Sequence, residues 1–236
     1  MAPCGRSAVR VRYDSGMGIV SLATRGVLFD MDGVLISSTR SDERCWMQWA
    51  RHHGMEGSFS LESTHGRRAV DTLRELRPDL DPMEELRLLE DFDAEDYGGV
   101  LVLPGVKALL AALPADRWAV VTSASVRLLE GRLRQAGLPL PAALVAADHV
   151  SQGKPAPEPY MAGATLLGLA PAECVVIEDA PAGVRSGKAA GARVVAVLTS
   201  HTREQLPGAD LYVETLEQVS AGLGADGAIH MELTAG

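Results

Sequence analysis

The sequence predicts an α/β fold: a parallel sheet with helices on both faces, interrupted after its first strand by an inserted all-helical segment. Three observations carry this reading. Short unbroken apolar runs recur at Val27–Phe29, Trp118–Thr122, Ala143–Ala146, Cys174–Ile177, Val194–Leu198 and Leu211–Val213. Runs that are apolar without alternation mark strands covered on both faces. Between the later runs lie stretches with helical spacing, the alternation that crossovers between parallel strands require. The third observation is residues 37–102, which carry helical spacing and no strand of their own.

Taken in order, residues 1–25 hold Arg6, Arg10, Arg12 and Arg25 but only the short apolar stretch Ile19–Ala23, preceded by Asp14 and two glycines. That is too little for the apolar region of a targeting peptide. The segment reads either as a disordered extension or as the product of a start placed upstream of Met17. The core is expected over residues 26–36 and 103–220.

In the insertion, Trp46, Trp49, Ala50 and His53 share one helix face that ends near Gly54. Val70, Leu73 and Leu76 form a second, stopped by Pro78. Asp81-Pro82 supplies the cap and first turn of a third, with Leu86, Leu89 and Phe92 on one side. Trp46 and Trp49 are expected in the core of this insertion rather than as a sugar platform. In the main body, helices are expected at Val106–Leu113, Val126–Ala136, Tyr160–Leu167 and Ala182–Ala190, the last closed by Gly191. The tail from 221 to 236, rich in Gly and Ala, is expected to fray.

Composition narrows the function. Of 236 residues, 47% are hydrophobic and 4% aromatic, so the core is built from Ala, Val and Leu. A net charge of −9 argues against a nucleic-acid or anionic-membrane surface. No apolar run approaches the roughly 20 residues of a membrane span. Cys4, Cys45 and Cys174 are scattered, with neither zinc-site nor disulfide spacing, which fits a reducing, cytoplasmic setting.

Ligands of open parallel sheets sit outside the carboxyl ends of the strands, and those ends are polar here. The first strand runs into Asp30-Met31-Asp32-Gly33. At period two the aspartates leave the strand on one side, and they need a metal, a shared proton or a nearby cation. Taken alone, this triplet is also an ordinary solvated turn. The strand at Trp118 ends in Thr122-Ser123-Ala124-Ser125, hydroxyls leading into a helix that suit a phosphate cradle or a plain serine cap. Glu178-Asp179 ends the strand from Cys174, and adjacent acids at a buried strand end call for a hard cation such as Mg2+. Lys154 lies in a stiff loop with Pro155, Pro157 and Pro159.

Together D-M-D-G-V, V-V-T-S-A-S, G-K-P-A-P-E-P-Y and V-V-I-E-D-A-P-A-G-V resemble, in order and separation, the four motifs of the haloacid dehalogenase superfamily over residues 26–220. The insertion resembles the helical cap of its β-phosphoglucomutase-like subgroup. The resemblance implies a Rossmannoid core with Asp30 as nucleophile and Asp32 as acid and base. It also implies that Ser123 and the Ala124 amide hold the phosphoryl oxygens, with Thr122 as the neighbouring candidate. Lys154 would pair with the phosphoryl group and Asp30. A Mg2+ ion would be held by Asp30, Asp179 and the Asp32 carbonyl, with Glu178 nearer the outer shell.

In the cap, Thr64-His65-Gly66-Arg67-Arg68-Ala69-Val70-Asp71-Thr72 resembles the stretch with which phosphatases of sugar or polyol phosphates reach substrate. His65, Arg67 and Arg68 are candidates for that contact, although the two arginines also suit a solvated helix face. Two departures stand out. Ser37 occupies a position that is commonly Asp, and His65 and Ala69 replace the Lys and Arg with which the mutases hold a second phosphate. A Mg2+-dependent phosphatase of a small phosphorylated metabolite is therefore expected, as a monomer or weak homodimer. A β-phosphoglucomutase-type isomerase is the alternative. A dehalogenase would not need Asp32, and a non-catalytic binding protein would not need the intact set of acids and lysine.

Overall fold

The computed structural model describes residues 9–14, 18–60, 68–95 and 99–234. The chain begins with β1 (Arg10–Asp14) and β2 (Ile19–Thr24), an antiparallel pair. It then enters the main sheet at β3 (Gly26–Phe29), whose four residues are all buried. After β4 (Ile36–Ser37) come the cap helices α1 (Thr39–His52), α2 (Ala69–Leu76) and α3 (Pro82–Glu95). The chain returns through β5 (Leu101–Val102) to α4 (Val106–Ala112), β6 (Trp118–Val121), α5 (Val126–Gln135) and β7 (Leu144–Val145). Next are α6 (Glu158–Leu166), β8 (Cys174–Glu178), α7 (Pro181–Ala190), β9 (Arg193–Val197) and β10 (Leu211–Val213). The last strands are β11 (Val219–Leu223) and β12 (Ile229–Thr234).

The six runs expected as strands form one sheet in the order β10-β9-β8-β3-β6-β7, parallel throughout. β3 and β8 lie side by side in its middle, buried on both faces between two apolar layers. This is why their residues read as unbroken Val, Leu and Ile. It also puts the polar residues that follow β3, β6 and β8 at one edge of the molecule.

The cap has its own apolar core of Cys45, Trp46, Trp49, Ala50, Leu73 and Leu89. Trp49 is completely buried, and its indole N–H donates to Glu85 at 2.7 Å. Trp46 stacks on Phe59 with ring centroids 5.8 Å apart. The two linkers to the main sheet are joined: β4 and β5 pair antiparallel, Ile36 with Val102 and Ser37 with Leu101.

The ends of the chain differ from the sequence expectation. The described part of the supposed extension and the supposed loose tail build a second sheet, in the order β1-β2-β12-β11. β12 sits inside it, pairing antiparallel with β2 and β11. Ile229, Met231 and Leu233 are buried while His230, Glu232 and Thr234 face water, the alternation of a sheet with one solvated face. The buried side joins the core cluster that contains Leu109 and Leu113 of the α4 region. Burial of these apolar faces, which neither pair of strands could achieve alone, is the reason the four strands form one sheet.

Candidate active site

The site is assembled at the carboxyl ends of β3, β6 and β8. The Asp30 amide donates to the Ile177 carbonyl at 3.0 Å, carrying the pairing of β3 and β8 one residue beyond the strand. The chain then turns sharply: Leu35 and Ile36 return hydrogen bonds to the Met31 carbonyl. Gly33 makes this possible with φ +80°, and a Cβ there would stand 1.9 Å from Asp179 Oδ2. The glycine therefore lets the carboxylate that ends β8 sit against the loop that ends β3.

Lys154 reaches into this junction from the loop before α6. Its ammonium donates to Asp30 Oδ1 at 2.7 Å, Glu178 Oε1 at 2.7 Å and the Val121 carbonyl at 3.0 Å. Burial alone would push Lys154 down, but Asp30 and Glu178 hold it charged, above the ordinary lysine range. Burial lifts the Asp30 carboxyl to about 7, against the opposing pull of Lys154 and with the help of Glu178 and Asp32. Asp179 is raised well above the carboxylate range by burial and by its neighbours Glu178 and Asp30.

Glu178 is completely buried. Its Oε1 accepts from Lys154 and from the Tyr160 hydroxyl at 2.7 Å, and its Oε2 accepts from the Asp179 and Ala180 amides. It would have to release a donor to ligate an ion, so it stands behind the other two acids as the anchor of Lys154. Asp179 Oδ1, in contrast, is buried without a hydrogen bond among the described residues. Oxygens of Asp30, Glu178 and Asp179 lie within 4.8 Å of one another. Three carboxylates against one ammonium leave an excess of negative charge. A divalent, oxygen-seeking cation such as Mg2+ fits that donor set.

The second aspartate is held elsewhere. Asp32 Oδ1 accepts from the Ser38 hydroxyl at 2.5 Å and from an Arg132 N–H at 2.9 Å. Thr122, Ser123 and Ala124 line the same cavity of about 350 Å3 as Asp30, Asp32 and Asp179. The Ala124 amide donates to Thr122 Oγ1 at 3.0 Å. Ser125 is the helix cap: its hydroxyl accepts from the Leu128 amide and donates to Glu90 of α3. The hydroxyl run thus divides its work, Ser125 capping α5 and Ser123 lining the cavity.

A sequence model of the haloacid dehalogenase-like hydrolases matches residues 24–191. The chain belongs to that family. It is 44% identical over 201 residues to hexitol phosphatase A of Escherichia coli K12, a match spanning 83% of this chain and 93% of that one. It is 31% identical to glycerol-1-phosphate phosphohydrolase 2 of Saccharomyces cerevisiae, over 86% and 87% of the two chains. Among solved structures, CbbY from Rhodobacter sphaeroides in complex with phosphate superposes with a TM-score of 0.72 at 23% identity. That match covers 82% of this chain and 95% of the other, and at this identity it speaks for the fold.

On this haloacid dehalogenase-like scaffold, His65 and Arg67 lie outside the described residues. Arg68 is described, and its surroundings differ from a solvated face. Its guanidinium pairs with Asp71 at 2.7 Å and donates to the Val150 carbonyl of the main body at 3.1 Å. Trp46 lines the cavity as well as the cap core.

Sequence reasoning missed a further loop of the site, the one that follows β9. Ser200 donates to the Asp179 carboxylate, Thr199 donates to the Gly33 carbonyl, and His201 Nδ1 lies 3.0 Å from the Asp179 carbonyl. The signal was available, since Thr199-Ser200-His201 follow β9 at the same sheet edge. Tyr160 and Arg132 were missed too. Arg132 shares the inner stripe of α5 with Leu129 and Leu133, and a cation on an apolar stripe is a signal in itself.

Proposed function

We propose that this phosphoric monoester hydrolase is a Mg2+-dependent phosphatase of small sugar or polyol phosphates, working through an aspartyl-phosphate at Asp30. The observation that carries the reading is the separation of the two aspartates of the first motif. Asp30 lies buried against Lys154 and beside Asp179, while Asp32 is held by Ser38 and Arg132 at the same cavity. One carboxylate is set to attack phosphorus and the other to move a proton, the division of labour that hydrolysis in two in-line transfers needs.

Asp30 attacks as the carboxylate, and Lys154 keeps it oriented while offsetting charge on the transferring group. Ser123 and the Ala124 amide receive the phosphoryl oxygens at the N-terminal end of α5, with Ala124 exchanging its Thr122 bond for substrate. Asp32 gives a proton to the departing alcohol and takes one from the attacking water. Asp30 and Asp179, with Glu178 behind them, would hold Mg2+, which when bound supplies positive charge opposite the phosphoryl oxygens. The cap closes the cavity from water, consistent with the Arg68–Val150 contact between cap and main body.

The substrate class rests on the relatives, which include a hexitol phosphatase, a glycerol-1-phosphate phosphohydrolase and a 2-deoxyglucose-6-phosphate phosphatase. Ala69, which lines the cavity, brings no cation for the second phosphate of a mutase intermediate, and this favours hydrolysis over isomerisation. Phosphate release from a panel of sugar and polyol phosphates, with and without Mg2+, tests the reading. Wild type is expected to turn over only with the metal, and Asp30→Asn to be inactive. Undiminished turnover by Asp30→Asn would sink the mechanism.

A further inference from the structure

Asp32 makes its two hydrogen bonds with the same oxygen. Ser38 and Arg132 both donate to Oδ1, and Oδ2 accepts none among the described residues. Two donors on one oxygen, one of them cationic, fix Oδ1 in place and leave Oδ2 as the oxygen turned to proton exchange with the reacting atoms. Arg132 is itself held by the cap. It is fixed on α5 of the main body with its side chain 5% exposed, and its second terminal nitrogen donates to Asp42 of α1 and to Asp93 of α3, the latter at 2.8 Å. Ser38 Oγ also lies 2.9 Å from Asp42 Oδ2, but its one hydroxyl proton serves the nearer Asp32 Oδ1 at 2.5 Å.

We propose that Arg132 is a positioning residue through which the closed cap sets which oxygen of Asp32 faces the reacting atoms. The inference rests on the phosphatase reading and adds to it a device in the cap. Asp42 and Asp93 hold the planar guanidinium from one side so that its remaining terminal nitrogen meets Asp32 Oδ1. With the cap turned away, Arg132 loses the two carboxylates that aim its guanidinium at Asp32 Oδ1. A lysine could not replace it, because one ammonium does not present the guanidinium's fixed fork to three carboxylates.

In the first transfer an Asp30 oxygen bonds to phosphorus and the phosphorus–ester oxygen bond breaks, its electron pair staying on the departing oxygen. That oxygen takes the proton from Asp32 Oδ2. In the second transfer the water oxygen bonds to phosphorus, its proton passes to Asp32 Oδ2, and the bond from phosphorus to Asp30 breaks to restore the carboxylate. Arg132 touches none of the reacting atoms. It decides which Asp32 oxygen faces them.

Leaving groups separate this role from a structural one. An alkoxide needs its proton, whereas p-nitrophenolate departs without one. The experiment compares Arg132→Lys, Arg132→Met and Asp93→Asn with wild type on glucitol 6-phosphate and on p-nitrophenyl phosphate, in steady state and by stopped flow. Asp93→Asn is nearly isosteric, touches Arg132 and not Asp32, and keeps the test alive if Arg132→Met does not fold. The expected result is a fall in kcat on the alkyl phosphate of about 100-fold, the scale of a lost general acid, with KM little changed and no rescue by lysine. The p-nitrophenolate burst, which reports the first transfer alone, is expected to stay within about threefold of wild type while the following turnover slows. An equal loss of the burst and of alkyl-phosphate turnover would make Arg132 a structural residue and overturn the proposal, as would undiminished activity in Asp93→Asn and Arg132→Met. Failure of the phosphatase reading looks different: wild type itself would release phosphate from neither compound.

Discussion

Gly183 and Glu178 stand so close that a Cβ on the glycine would fall 1.6 Å from Glu178 Oε1. The first turn of α7 thus forms the wall against which the Glu178 carboxylate rests, and that carboxylate in turn aims Lys154 at Asp30. Gly183 lies inside a helix, where alanine is normally better by about 1 kcal/mol. Here the local preference loses to a tertiary contact.

Gly183→Ala should therefore lower both stability and activity despite the gain in helix propensity. Displacing Glu178 by about 1 Å carries Lys154 with it, and misplacement on that scale costs roughly 100-fold in rate. Steady-state kinetics beside a thermal melt will show it. A stabilised, fully active variant would mean that Glu178 does not set Lys154.

The metal-free site makes stability fall as pH rises. Asp30 has a folded value of about 7 against 3.8 for the free side chain, and Asp179 is shifted in the same direction. Below 3.8 both the folded and unfolded chains carry the Asp30 proton. Between about 4 and 7 only the folded chain keeps it, so unfolding releases a proton and is favoured as pH rises through that window. Mg2+ favours the ionised carboxylates, so the stabilisation it confers should grow from pH 4 to 7. Urea melts in chelator and in Mg2+ across this range will test the sign; a metal-free protein that gains stability toward pH 7 would contradict it.

Truncation after Gln218 should be severe. It removes β11 and β12, with the buried side chains of Ile229, Met231 and Leu233, and strips β2 of one of its two partners. Burial of one such side chain is worth about 1.5–3 kcal/mol, so three approach the whole stability of an ordinary domain, about 5–15 kcal/mol. Circular dichroism and thermal melting of the shortened chain should show an unfolded or strongly destabilised protein. A cooperative melt close to wild type would show that the second sheet adds little.

Much of this molecule is legible in local sequence pattern. The buried strands from Val27 to Val213 announce themselves because both their faces are covered, and the residues after β3, β6 and β8 stand out because acids and hydroxyls are costly at buried strand ends unless used. The terminal hairpin was legible too. Asp226-Gly227 is a strong turn signal, Gly227 has φ +76°, and Ile229–Thr234 alternates at period two. The Gly- and Ala-rich stretch leading into it hid the pattern.

What the sequence by itself determined is the class of fold, the place of the cap and the acids, hydroxyls and lysine gathered at one edge of the sheet. Each follows from whether a residue's own segment is buried, and the spacing of apolar residues reports that directly. Only the tertiary structure decided which distant segments meet. Arg132 finds Asp42 and Asp93 across 90 and 39 residues, and β12 finds β2 across the length of the chain. Periodicity names the face an element buries, but the partner for that face is chosen by the packing of the whole molecule.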